Sequence, residues 1–117
     1  MTTQSAPSLP VPFIKGASAK NEVPSNADIT LVLPAFTGPT CTQVMLTLIS
    51  EPEDFNRQIN QLVEIMQDKD TVVTVSNLKD GKKIFESSHK AKISGSVDAG
   101  NGQWIETPES VTYTFID

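Results

Sequence analysis

In the stretch HKAKISGSV, residues 89–97, apolar side chains alternate with lysine and serine. A period of two places His89, Ala91, Ile93 and Val97 on one face and Lys90, Lys92, Ser94 and Ser96 on the other. That is the pattern of a strand with one dry side. The same period recurs along the chain. ADITLVLPAF sets Ile29, Leu31 and Leu33 against Thr30 and Val32, and Pro34 ends the run. CTQVMLTLIS is apolar on both faces, with Val44, Leu46 and Leu48 opposite Met45 and Ile49, as a central, covered strand requires. TVVTVSNL and SVTYTFI are β-branched and alternating, the latter with Val111, Tyr113 and Phe115 on one side. Two turn signals punctuate this pattern. Asp80-Gly81 in LKDGKKIF and Asn101-Gly102 in VDAGNGQWIE supply the positive φ angles of tight hairpins. DAGNG offers Asp98 and Asn101 as oxygen donors, but it lacks the repeated acids of a calcium loop and the glycine fingerprint of a phosphate cradle. It reads as a turn.

One segment follows a different period. In SEPEDFNRQINQLVEIMQ, Ser50 and Glu53 have capping-box spacing, and Pro52 with Glu51, Glu53 and Asp54 suits a first helical turn. Phe55, Ile59, Leu62, Val63 and Met66 form a helical stripe, opposite Arg57, Asn60, Gln61, Glu64 and Gln67. The spacing predicts an amphipathic helix over about residues 51–67. About seven short strands with that helix inserted give a mainly β fold, an antiparallel β-sandwich carrying one helix. The alternative is an α+β layer with the helix packed on one sheet.

At 117 residues the chain has the length of a single domain. Four of its eight prolines fall in the first 26 residues, which excludes a helix or a central strand there. Residues 1–10 read as a flexible Pro/Ser-rich arm, residues 11–117 as the domain, and Pro10–Ile14, with its apolar cluster VPFI, as a segment able to add an edge strand. The net charge of −5 argues against nucleic acid as the main partner, and no apolar run reaches a membrane span. The start MTTQSAPSLPVPF has no basic region followed by an apolar one, so a classical signal peptide is not expected. That leaves a protein of the cytoplasm, of a particle, or exported without a cleaved signal. With a lone Cys41, no intrachain disulfide is available.

Candidate chemistry is sparse. Cys41 and His89 would have to meet across the fold to form a nucleophile–base pair, and the acids at 51, 53 and 54 are accounted for by helix capping. No spacing supports a metal site, and no catalytic residue or cofactor is expected. Two surfaces remain. Residues 79–92 hold five of the nine basic residues and two acids, so Lys79, Lys82 and Lys83 around the Asp80-Gly81 turn form either a solvated edge or a face for an acidic partner. Trp104, just beyond the Asn101-Gly102 turn, is either core or a platform for a sugar ring or a protein, with Glu106 and Tyr113 as neighbours. The expectation is a mostly buried Trp104, which favours the lysine turn.

Two further motifs carry a resemblance. LPAFTG at 33–38 and VTYTF at 111–115, behind a proline-rich lead, resemble the immunoglobulin-like β-sandwich modules of bacterial surface and secreted proteins. The resemblance implies a spacer or binding unit, not an enzyme. The expected function is therefore a non-enzymatic bacterial or phage module that recognises a protein or carbohydrate surface or spaces other domains. The alternative is a structural subunit of a phage or virus-like particle whose N-terminal arm orders on assembly. Self-association into a homo-oligomer is compatible with both.

Overall fold

The computed structural model describes residues 9–37, 40–66, 68–100 and 102–117. In chain order the strands are β1 (Phe13–Lys15), β2 (Glu22–Pro24), β3 (Ile29–Leu33), β4 (Gln43–Ser50), β5 (Gln58–Glu64), β6 (Thr71–Val75), β7 (Leu78–Lys79), β8 (Lys82–Lys83), β9 (Lys90–Asp98), β10 (Trp104–Glu106) and β11 (Tyr113–Ile116). One sheet has the order β1-β3-β6. The larger sheet runs β2-β11-β9-β4-β5, with β10 also beside β9, and β7-β8 is a separate ribbon. Pairing is antiparallel throughout except between β2 and β11, which run parallel.

Alternation in the sequence decides which side of each strand is dry. Ile29, Leu31 and Leu33 from the smaller sheet meet Val44, Leu46, Leu48, Ala91, Ile93, Val97 and Phe115 from the larger in one hydrophobic cluster. The two sheets share this single core, an arrangement compatible with a β-sandwich. At its base, Phe85 and Phe115 stack with ring centroids 4.8 Å apart. Between the sheets, the Ile14 backbone N–H donates to the Tyr113 hydroxyl at 3.2 Å, tying β1 to β11. The short strand that VPFI could add is β1, at the edge of the smaller sheet. Residues 1–8, most of the expected arm, lie outside the described residues, and Leu9 already belongs to the core cluster. Among the described residues no helix is long and apolar enough to cross a membrane.

The inserted helix is not formed, and with it falls the α+β alternative. Residues 51–57 are a loop and Gln58–Glu64 is strand β5, paired with β4 from Ile49↔Gln58 to Gln43↔Glu64. Ser50 does not cap a helix. Its hydroxyl donates to the Pro52 carbonyl, and the Glu51–Pro52 peptide is cis. Asp54 instead closes a turn, its carboxylate accepting from the Asn56 N–H and its carbonyl from the Arg57 N–H. The helical stripe does not face the core, since Phe55, Leu62 and Met66 are exposed, Ile59 is buried and Val63 is only partly so. Ile59 and Val63 suit a period of two as well as one of four. Pairing along all of β4 outweighs the local helical preference, which is worth only tenths of a kcal/mol per residue.

Candidate functional site

The register of the larger sheet assembles its outer face from four strands. Met45 of β4 lies between Leu62 of β5 and Ser96 of β9, and Ser96 is opposite Glu106 of β10. One row along, Thr47 lies between Asn60 and Ser94, and the next joins Ile49 to Gln58 and Lys92. Thr47, Asn60, Ser94 and Ser96 give this face a low polar middle, with the apolar Met45 and Ile49 on either side of Thr47, and the longer groups around it stand as walls. An open groove of about 430 Å³ results, with Thr47, Asn60, Ser94 and Ser96 along its floor. Glu53 and Phe55 of the 51–57 loop wall one side, and Glu106, Thr107 and Glu109 wall the other.

Each wall has a local cause. After Glu106 the chain reaches Pro108, which has no N–H to give to β9. The hydroxyls on either side of the interruption take over the pairing. The Gly95 N–H donates to Thr107 Oγ1 and the Ile93 N–H to Ser110 Oγ, both at 2.9 Å. The N–H groups of Thr107 and Ser110 in turn reach the Gly95 and Ile93 carbonyls. The 107–110 segment therefore leaves the plane of the sheet without orphaning β9, and it carries Glu109 outward. Gly95 gives it room, since an added Cβ would lie 3.2 Å from Val44 Cγ2 and 3.3 Å from Thr107 Cγ2 and would press both methyls aside by a few tenths of an ångström. The opposite wall is anchored by the Glu51–Lys92 salt bridge, 2.9 Å long. The hydrogen bond and charge of Glu51 raise the Lys92 ammonium above the ordinary lysine pKa, with a smaller contribution from Glu109. Lys92 stays positive, and the carboxylates of Glu53, Glu106 and Glu109 give the groove its acidic character.

Trp104 is the next outer-face position beyond Glu106. It is 48% exposed, against the expectation of burial, because Ile105 opposite Val97 takes the inward position and turns its neighbours out. Glu106 shares that face, but Tyr113 does not. It is buried, pairs with Ala91, and lies seven residues along β9 from Trp104's partner Asp98, about 23 Å at ~3.3 Å per residue. The Asp98–Gly102 turn is built from the Asp98 carboxylate, which accepts from the Gly100 N–H, and from Gly100 and Gly102 at positive φ. Asn101 lies outside the described residues.

The lysine turn is separate from this face. Asp80 and Gly81 both have positive φ, as the type I′ signal requires, and Lys79 pairs with Lys82 across the ribbon. Lys83 turns inward to donate to Ser25 Oγ at 3.0 Å, so it holds the ribbon to the body while Lys79 and Lys82 are exposed. Cys41 and His89 are not brought together. Cys41 precedes β4 at the end where Thr42 bonds Asp98, and His89 precedes β9 at the other end, about 30 Å away along the strand. Burial first, then the charge of Asp98, raises the Cys41 thiol pKa. The His89 ring accepts at Nδ1 from the Glu86 N–H and lies against the Arg57 guanidinium. No group of acids, histidines or cysteines among the described residues has the geometry to hold a metal ion.

Sequence reasoning missed Thr47, Phe55, Asn60, Ser94, Ser96 and Glu109 as site residues. One signal was legible. Pro108 interrupts an otherwise β run, which marks a bulge or a strand break. Comparison with protein-family models and with curated proteins gives no match for this chain.

Proposed function

We propose that this chain is a non-enzymatic binding module of the immunoglobulin-like β-sandwich class, which recognises a carbohydrate surface through the outer face of its larger sheet. The strand order supports the class. With β1, β3 and β6 as strands A, B and E, and β10/β11, β9, β4 and β5 as G, F, C and C′, both sheets have immunoglobulin-like neighbours. One observation carries the binding reading. Hydroxyl, amide and carboxylate groups converge on a groove lined by the exposed ring of Phe55, and the exposed ring of Trp104 stands on the same face, one outward position beyond the groove residue Glu106. Sugar rings offer apolar C–H faces to aromatics and hydroxyls to such polar groups, and amine-bearing sugars would also pair with Glu53, Glu106 and Glu109.

The test is calorimetric titration with neutral and amine-bearing oligosaccharides. Phe55→Ala and Trp104→Ala, with folding of each checked by circular dichroism, should each weaken binding about tenfold or more, corresponding to ~1.4 kcal/mol. Lys79→Glu with Lys82→Glu should leave it unchanged. Loss of binding in the lysine variant with retention in the aromatic variants would move the site to the β7-β8 ribbon. A second reading, as a subunit of a phage or virus-like particle, is favoured by one feature, the unguarded edge of β5.

A further inference from the structure

We propose that β5 is a dimerisation edge, at which a second copy of this chain adds its own β5 antiparallel across a two-fold axis at Gln61. The interface shares Phe55 with the groove wall, but it rests on the backbone of β5 and does not require that the groove bind a sugar. β5 pairs with β4 and with no other described strand. Exposed edges are ordinarily guarded by brevity, proline or lysine. β1 and β2 are three residues each, the first preceded by Pro10 and Pro12 and the second ending on Pro24, while β6, the other edge of the smaller sheet, is five residues, TVVTV, also without proline or lysine but two residues shorter than β5. β5 is seven residues, QINQLVE, without proline, lysine or arginine.

Backbone parity shows which groups are left over. The Arg57 carbonyl and the Ile65 N–H both bond towards β4. Odd-numbered residues of β5 therefore face β4, and Gln58, Asn60, Leu62 and Glu64 direct their N–H and C=O groups to the open side. An antiparallel partner centred on Gln61 sets Gln58 opposite Glu64 and Asn60 opposite Leu62 of the second copy. These are the four residues with unused backbone groups, so a symmetric ladder closes without leaving one out. The side chains agree with this register. Ile59 meets Val63, the carboxylate of Glu64 meets the amide of Gln58, and no like charges face each other. The exposed apolar side chains fit the same edge. Leu62 lies within it, Phe55 precedes it and Met66 follows it, so the two-fold brings Phe55 of one copy towards Met66 of the other. The two larger sheets would become one continuous sheet with both grooves on the same side.

The experiment is sedimentation velocity on the full chain over a dilution series reaching roughly millimolar, with hydrogen exchange read at both ends. A concentration-dependent dimer is expected, in which the amides of Gln58, Asn60, Leu62 and Glu64 gain protection. Leu62→Pro removes an N–H and an apolar side chain on the open side but no hydrogen bond to β4, and should raise the dissociation constant at least tenfold while leaving circular dichroism unchanged. Leu62→Lys serves as the second variant should the proline disturb folding. Gln61→Cys in a Cys41→Ser background should form an intermolecular disulfide on mild oxidation, since facing residues of a non-hydrogen-bonded pair lie about 4.5 Å apart at Cα. A monomer throughout the series would overturn the proposal. So would a dimer that ignores both Leu62 variants, protects other amides or fails to cross-link through position 61, since any of these would put the interface elsewhere.

Discussion

Thr107 and Ser110 each do two jobs with one hydroxyl. Each accepts a β9 N–H and donates to a nearby carbonyl, Thr107 to Pro108 and Ser110 to Val111. Both side chains are buried, so removing the hydroxyl strands an N–H that water cannot reach. Thr107→Val and Ser110→Ala should each cost about 1–3 kcal/mol in denaturant unfolding. A further loss of saccharide affinity is expected, because the Glu109 wall depends on the same bonds. Cys41 gives a pH signature. Its thiol pKa is raised in the folded state, so the folded chain holds that proton where the unfolded chain loses it. The associated stability is fully present below the unfolded thiol pKa and is lost as pH rises through the folded one. Alkylation of Cys41 in the native protein at mildly alkaline pH should be much slower than after denaturation. An equal rate in both states would contradict the burial.

At the scale of elements, the ribbon between β6 and β9 shows how a surface hairpin is held to the core. Asn77 is buried, and its side chain donates to the Ser25 and Phe85 carbonyls and accepts from the Phe85 N–H. Phe85 is thereby set against Phe115. Asn77→Ala should destabilise by about 2–4 kcal/mol, because it leaves several buried backbone groups unpaired and loosens an aromatic stack. Thermal melts followed by near-ultraviolet dichroism would read both effects. The ribbon also marks what was legible beforehand. Asp80-Gly81 announced its turn because few residue pairs tolerate two positive φ angles, and the alternation in 89–97 announced β9. Residues 51–67 misled because their capping-box spacing and apolar stripe are local signals, and a seven-residue strand pair with β4 overrode them. Trp104 misled because inward and outward positions on a three-residue strand are set by its pairing with β9, which residue type does not reveal.

For the whole molecule, the groove was the least legible feature. It depends on the register that sets Met45 between Leu62 and Ser96, and on a bulge held open by Thr107 and Ser110. No single segment carries it. The distribution of charge follows the same logic. Acids gather on the outer face of the larger sheet, the exposed Lys79 and Lys82 stand on the separate ribbon, and Lys92 is tied to Glu51. A contact driven by the ribbon lysines would weaken steeply with salt, because exposed charges are screened within about 10 Å at 0.1 M. A contact driven by Phe55 and Trp104 would change little.

The most direct measurement is heteronuclear NMR of the isotope-labelled chain, titrated with neutral and amine-bearing oligosaccharides at low and high salt. Shifts should concentrate at Thr47, Asn60, Ser94, Ser96, Trp104 and Glu106, and for neutral sugars they should persist at high salt. Shifts confined to Lys79, Lys82 and their neighbours, or the absence of any shift across the panel, would contradict the assignment of this face as the binding surface.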